Sequence, residues 1–119
     1  MQTKIKEIIA NILYLDSSDE IKTKAGLFTE LGISSIDYID LCFELKREFG
    51  KEVGHDDLWP LNKMLLDNNL YANNQWTDKG WQEICEILKL DVKLEKQSIQ
   101  ELYQYFTVDF IERRLQEII

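Results

Sequence analysis

The sequence predicts an all-α domain. Apolar residues recur at helical spacing in several stretches, hydroxyl residues stand where three of those stretches begin, and the one alternating run, Leu88, Leu90, Val92 and Leu94, has no second strand-like run to pair with. At 119 residues the chain is expected to be a single domain whose core needs neither metal nor disulfide. Cys42 and Cys85 lie far apart at apolar helical positions without CxxC spacing, so both read as buried thiols.

The first helix carries Ile5, Ile8, Ile9, Ile12 and Leu13 in the i, i+3, i+4, i+7, i+8 rhythm of one buried stripe. It stops in Asp16-Ser17-Ser18-Asp19-Glu20, whose short polar side chains compete for backbone hydrogen bonds. A long connection follows, with Leu27, Phe28 and Leu31 as core anchors. The second helix is expected from Ser34 to about Phe49, closed by Gly50, with Ile36, Ile39, Cys42, Phe43, Leu45 and Phe49 as its apolar set. Asp56 and Asp57 followed by Leu58, Trp59, Pro60, Leu61, Met64 and Leu65 predict a short helix with Pro60 in its first turn. The stretch from Asp67 to Gln75 reads as loop.

Thr77 offers an N-cap to a helix with Trp81, Ile84, Cys85 and Leu88 on one face. Ser98-Ile99-Gln100-Glu101 is a capping box that opens a helix whose inner face is Ile99, Leu102, Tyr103 and Phe106. Phe110, Ile111, Leu115 and Ile118 carry the pattern on with a shift of phase near Thr107. That shift predicts a break and a terminal helix.

Charge narrows the function classes. Twenty-two acidic against fourteen basic residues give a net charge of −8, which repels nucleic acid and anionic membrane surfaces and favours a basic protein partner. The longest apolar runs are only a few residues and the amino terminus has no signal-peptide pattern, so a cytoplasmic protein is expected, with no membrane insertion. Phosphate-loop, HExxH and GxSxG motifs are absent, and His55, beside Asp56 and Asp57, is the only histidine. No catalytic and no metal-ligating set is assigned.

The most informative segment is Leu31-Gly32-Ile33-Ser34-Ser35-Ile36-Asp37. Ser34 and Asp37 have the spacing of a Ser-x-x-Asp capping box, which places Ser34 at the N-cap. Ser35 then falls in the first turn, its hydroxyl beside unpaired backbone N–H groups and the positive end of the helix dipole. A phosphodiester there gains about 0.3–1 kcal/mol. Ile36 is expected to anchor the turn in the core. A helix cap alone is commonplace; the flanking residues give it meaning.

Residues 25–53 resemble the central segment of the acyl carrier protein family, whose pattern is a leucine-glycine pair, a variable residue, an aspartate, the modified serine, an apolar residue and an acid. Gly26-Leu27-Phe28-Thr29-Glu30 is similar to the family's preceding loop, Glu48-Phe49-Gly50 to its helix end, and Ser98 to Phe106 to its last helix. Ser34 departs from the usual aspartate, and Lys46 and Arg47 stand where the family continues with acids. The resemblance implies an acyl-carrier-like helical bundle with a long loop between its first two helices. Its core would be 1–53 and 95–106, with an insert at about 54–94 and a C-terminal extension at 107–119.

The resemblance also implies 4′-phosphopantetheine attached to Ser35 by a phosphopantetheinyl transferase, with Ser34 and Asp37 shaping the attachment site. Such a protein is a monomeric carrier without catalysis of its own, holding acyl intermediates as thioesters for acyl-transferring or acyl-activating enzymes of fatty acid, lipid or polyketide-type biosynthesis. Asp37, Asp40, Glu44 and Glu48, stacked by helical spacing, would meet basic docking patches on those partners. Phe28, Ile36, Ile39 and Phe43 are candidates to line an acyl pocket, although such spacing more often marks ordinary core. Trp59, Trp76 and Trp81 cluster in the insert, where a core role is the simpler reading. Two alternatives stay open: an unmodified helical adaptor of the same fold that binds through its acidic helix, and an aminoacyl or peptidyl carrier.

Overall fold

A computed structural model describes residues 1–118. In chain order the elements are α1 (Gln2–Ile12), α2 (Ser35–Phe49), α3 (His55–Leu58), α4 (Leu61–Met64), β1 (Tyr71–Ala72), β2 (Gln75–Trp76), α5 (Asp78–Leu88), α6 (Ile99–Leu102) and α7 (Val108–Ile118), with 3-10 turns at Ser18–Glu20 and Tyr103–Tyr105. The fold is helical, as expected. Its core is one cluster that includes Ile5 and Ile9 of α1, Leu27 of the long loop, Leu45 of α2, Leu58 of α3 and Ile111 of α7. Among the described residues no helix is long and apolar enough to cross a membrane.

α2 runs as expected from the Ser34 cap to Gly50, which adopts φ +66° at the C-cap and donates to the Lys46 carbonyl. Its facing differs from expectation. Leu41, Cys42 and Leu45 are buried with Tyr38 and Phe49 beside them, whereas Ile36, Ile39 and Phe43 are 72%, 49% and 62% exposed. Both sets have helical spacing, so periodicity alone did not choose between them. Ile36 therefore does not anchor the turn. Ile33 does: it is 7% exposed, and its N–H donates to the Leu27 carbonyl at 3.1 Å.

The bundle closes on α7 rather than on α6. α7 packs against α1 and α3, buries Val108, Phe110, Ile111 and Leu115, and is tied to α1 where Gln2 Nε2 donates to Asp109 Oδ1 at 2.7 Å. The expected break is present, since the Tyr103–Tyr105 turn ends at Phe106 and Thr107 Oγ1 accepts from the Phe110 N–H to open α7. Residues 107–118, expected as an extension, are thus structural. Ile119, the last residue of that expected extension, lies outside the described residues.

Three differences in the intervening segment have local causes. The expected single short helix is two single turns, α3 and α4, because Pro60 disfavours helical backbone at Trp59, which sits at φ −133° and ψ 86°. The loop expected from Asp67 to Gln75 contains a hairpin in which Tyr71 pairs with Trp76 and Ala72 with Gln75. Asn73 and Asn74 hold φ +56° and +62°, the two left-handed positions that a two-residue hairpin turn requires and that asparagine tolerates. No strand forms at Leu88–Leu94. Gly80 lets α5 approach the hairpin, because a Cβ there would lie 2.0 Å from the Leu70 carbonyl oxygen.

Trp59, Trp76 and Trp81 are all buried, which favours their reading as core. The segment is pinned at both ends of α5. Trp76 Nε1 donates to the Gln97 carbonyl at 2.9 Å, Lys96 Nζ to the Trp76 carbonyl at 3.0 Å, and Arg113 of α7 to the Ile87 carbonyl.

Candidate functional site

The site is built at the start of α2. Gly32 turns the chain at φ +69°, with open space where a Cβ would be. Leu27 donates to the Phe106 carbonyl at 2.8 Å and thereby fixes the incoming loop to the segment before α7. Gly26 allows the close passage, since a Cβ on it would stand 3.1 Å from the Gln104 carbonyl oxygen and 2.2 Å from Thr29 Oγ1.

Ser34 and Asp37 cap one another. The Asp37 N–H donates to Ser34 Oγ at 3.1 Å, and the Ser34 N–H donates to Asp37 Oδ2 at 2.8 Å. The box occupies both side chains and two of the backbone donors at this helix end. The N–H groups of Ser35 and Ile36, both exposed residues, are left without a partner inside the helix. Ser35, the first helical residue, is exposed as well. Its hydroxyl thus stands at the positive end of a 15-residue helix with room around it for a bulky substituent.

A cleft of about 460 Å³ opens beside Ser35. It is lined by Ser35, Tyr38 and Ile39 of α2, by His55 of α3 and the following Trp59, and by Phe28, Asn62 and Tyr103. The rings are packed together: Phe28 lies 5.9 Å from Tyr38, 5.2 Å from Tyr103 and 5.0 Å from Phe106, centroid to centroid. Trp59 meets Phe106 and Phe110 edge-on at 5.4 Å. The Tyr38 hydroxyl donates to the His55 carbonyl, and burial pushes this phenol well above its ordinary range. Burial likewise pushes the Cys42 thiol, one turn along, up to about 11. Neither group is poised as a base or nucleophile at neutral pH.

Of the four residues expected to line an acyl pocket, Phe28 and Ile39 border this cleft. Ile36 is not among its lining residues, and Phe43 instead borders a groove between α1 and α2, together with Ile8, Ile12, Asp40 and Glu44. The structure therefore does not bring the four together. The sequence reading missed Tyr38, Trp59, Asn62 and Tyr103 as neighbours of the serine. Tyr103 is separated from it by the long segment after α4, and no local pattern connects Asn62 or Tyr103 to the serine.

The acidic positions of α2 are mixed in character. Asp37 is engaged in the cap, Asp40 is exposed, Glu44 lies 3.8 Å from Arg47, and Glu48 lies 3.9 Å from Lys4 of α1. Lys46 is drawn to Glu52 at 3.0 Å. Exposed Ile36, Ile39 and Phe43 run between these acids, so the outer face of α2 is apolar and acidic together. His55 is exposed, with its ring centroid 6.0 Å from that of Tyr38. Among the described residues there is no group of three or more side chains fit to hold a metal ion.

Comparison with known proteins gives the family of the chain. Residues 3–62 match the family model described as "Phosphopantetheine attachment site". The chain is 33% identical over 75 residues to an acyl carrier protein of Nitratidesulfovibrio vulgaris strain DP4, a match covering 63% of this chain and 97% of that protein. It is 38% identical over 56 residues to an acyl carrier protein of Thermotoga maritima, covering 47% of this chain and 68% of that one. An acyl carrier protein of Solidesulfovibrio magneticus is 33% identical over 61 residues, covering 51% of this chain and 77% of the relative. No solved structure matches significantly.

Proposed function

Because this chain belongs to the phosphopantetheine-attachment family of acyl carrier proteins, whose prosthetic group is covalent 4′-phosphopantetheine, we propose that Ser35 is the residue that carries the group. The observation that supports this reading is the division of labour at the helix start: Ser34 is consumed by the cap, and Ser35 is left exposed beside two open backbone N–H groups. When attached, the group supplies a thiol that holds acyl groups as thioesters. The residues present fit it. The first turn of α2 offers positive potential to a phosphodiester, and the adjoining cleft is lined by Asn62 and His55 together with the rings of Phe28, Tyr38 and Trp59.

In this reading the chain supplies an oxygen to be modified and a surface to be recognised, and the transferase supplies the base. Ser34 and Asp37 hold Ser35 at a fixed angle to the helix axis. Asp40 and Glu44, with Ile36, Ile39 and Phe43 exposed around them, present an acidic and apolar face to basic enzymes that load or use the cargo. The protein acts as a cytoplasmic monomer without catalysis of its own, serving acyl metabolism of the fatty acid, lipid or polyketide type. Asp40→Lys combined with Glu44→Lys should slow association with a transferase at low salt, by roughly tenfold or more, and the difference should shrink as salt rises. Equal rates would remove the acidic face from the account.

Incubation with coenzyme A and a transferase of broad specificity, followed by intact-mass measurement, tests the reading. One phosphopantetheine should be added per chain. Failure with several transferases would favour the unmodified adaptor, which uses the outer face of α2 alone.

A further inference from the structure

Two adjacent arginines of α7 bond to the C-terminal ends of two other helices. Arg113 Nη2 donates to the Ile87 carbonyl, one residue before the end of α5. Arg114 turns to α3, its Nε donating to the Asp57 carbonyl at 3.1 Å and its Nη2 to the same oxygen at 2.6 Å. Neighbouring positions on a helix point about 100° apart, so α7 holds α5 with one side chain and α3 with the next. Glu117, almost one turn along, lies 3.2 Å from Arg114 Nη1 and orients the guanidinium. The Arg114 side chain is only 18% exposed, so its fork on the Asp57 carbonyl is largely shielded from competing water.

α3 needs such a hold. It is four residues long, far short of the dozen or so at which a helix begins to persist on its own. Leu58 and the following Trp59 anchor one side of the turn in the core, but His55, Asp56 and Asp57 are exposed. That outer side is held by hydrogen bonds. Asp57 Oδ2 accepts from the Gly54 N–H at 3.0 Å to close the start, and the carbonyls at the other end have no following turn to bond to. The His55 carbonyl accepts from the Tyr38 hydroxyl of α2, and the Asp57 carbonyl accepts from Arg114 of α7. The turn thus hangs between α2 and α7, and its position matters because His55 and Trp59 line the cleft that Ser35 borders.

We propose that Arg114 is a positioning residue for the modification of Ser35, holding α3 in the place where the transferase docks over the serine. This rests on Ser35 as the attachment point. A standard protein interface covers about 800 Å² on each partner, so an enzyme whose active site reaches Ser35 also covers the cleft walls beside it. Without the fork, α3 leaves its place for part of the time. The enzyme then binds only the fraction of molecules with α3 in place, and its apparent affinity for the carrier falls by that fraction. Within the complex, once formed, the chemistry is the same. The clamp comes from outside residues 3–62, the part of the chain that matches the family model, and this gives α7 a task at the serine beyond closing the bundle.

The test compares Arg114→Gln with Arg113→Gln in the full-length protein, using coenzyme A and a transferase of broad specificity at varied carrier concentration, together with amide hydrogen exchange. Arg113→Gln is the matched control, because it removes an arginine from the same helix and a bond to a helix end, but at α5 rather than α3. Arg114→Gln should raise KM for the carrier about three- to tenfold while kcat stays within about twofold. It should also speed exchange of the Leu58 and Trp59 amides, which bond within the turn, by about tenfold. Arg113→Gln should leave KM and those amides unchanged. Arg114→Lys, which keeps the charge without the fork, should fall between the parent and Arg114→Gln. Should Arg114→Gln fail to fold, Glu117→Gln decides: it loosens the guanidinium without removing it, and KM should rise by about twofold. An unchanged KM in the variant that decides, an equal rise in both arginine variants, or a fall in kcat at constant KM overturns the proposal and leaves Ser35 as the attachment point. Absence of loading of the unaltered protein, or loading that survives in Ser35→Ala, overturns the attachment site and this inference with it.

Discussion

The first turns of α2 and α5 use the same device in opposite settings. Each opens on a hydroxyl N-cap that accepts from the N–H three residues on: Ser34 from Asp37 at 3.1 Å, and Thr77 from Gly80 at 3.0 Å. At α2 the next residue is Ser35, exposed to solvent with a cleft beside it. At α5 the next residue is Asp78, 2.8 Å from Lys96, and the turn is pressed so closely on the hairpin that Gly80 is buried. Both first residues are exposed, but one helix start has a cleft beside it and is available for a substituent, whereas the other is engaged by Lys96 and packed on the hairpin through buried Gly80. A capping signal marks where a helix begins, and the surroundings of the first turn decide what that beginning is used for.

The packed turn should be the more fragile. Gly80→Ala places a methyl group 2.0 Å from a backbone carbonyl oxygen, which has no rotamer by which to yield, so chemical denaturation should show a loss of roughly 1–3 kcal/mol or more. The same change at Gly32 meets open space but retains φ +69°, and should cost about 1–2 kcal/mol. If Gly32→Ala proved the more damaging of the two, the contrast between the two turns would be wrong.

Next in size are the caps. Ser34→Ala removes one half of a reciprocal box and should lose about 0.5–2 kcal/mol. Thr77→Ala should lose at least as much, because its hydroxyl also donates to the Asn69 carbonyl at 2.7 Å. Comparing the two denaturation midpoints sharpens how much of each helix start is held by its cap alone.

An effect confined to alkaline pH is carried by the buried thiol on the inner face of α2. The Cys42 value is raised by burial from 9.0 to about 11, so between those limits the unfolded chain has released the proton and the folded chain has kept it. Stability is therefore fully present below pH 9 and falls as pH rises towards 11. Cys42→Ala should flatten that part of the profile, and an unchanged slope would show that the thiol is not protected as described. The smallest effect is expected at Asp78, whose carboxyl is held below its usual range by the Lys96 ammonium. Its contribution is present above the ordinary carboxylate range and is lost as pH falls through the lowered value, so Asp78→Asn should trim only the acid limb of the curve. High salt should erase the difference.

What was legible in the sequence was what is determined locally. The caps at Ser34, Thr77 and Ser98, the glycine stop at Gly50 and the break at Thr107 each depend on a few adjacent residues, and each is present. The facing of α2 was not legible, because Ile36, Ile39 and Phe43 have the same helical spacing as Tyr38, Leu41, Cys42 and Leu45. Only packing against α1 and α3 selects the second set. The hairpin was hidden by strands of two residues each, too short for alternation, leaving Asn73 and Asn74 as its only signal. The approach of Asn62 and Tyr103 to Ser35 was also beyond local reading. For Tyr103 it depends on where the long segment after α4 returns, and its only mark in the sequence is an aromatic residue at helical spacing that looks like any core position.

The most direct test compares Ser34→Ala and Ser35→Ala side by side, measuring mass after incubation with coenzyme A and transferase, and stability by denaturation. The account predicts that Ser34→Ala gains one phosphopantetheine and is less stable, whereas Ser35→Ala gains none and keeps its stability within about 0.5 kcal/mol. Modification surviving in Ser35→Ala, or lost in Ser34→Ala without loss of stability, would contradict it.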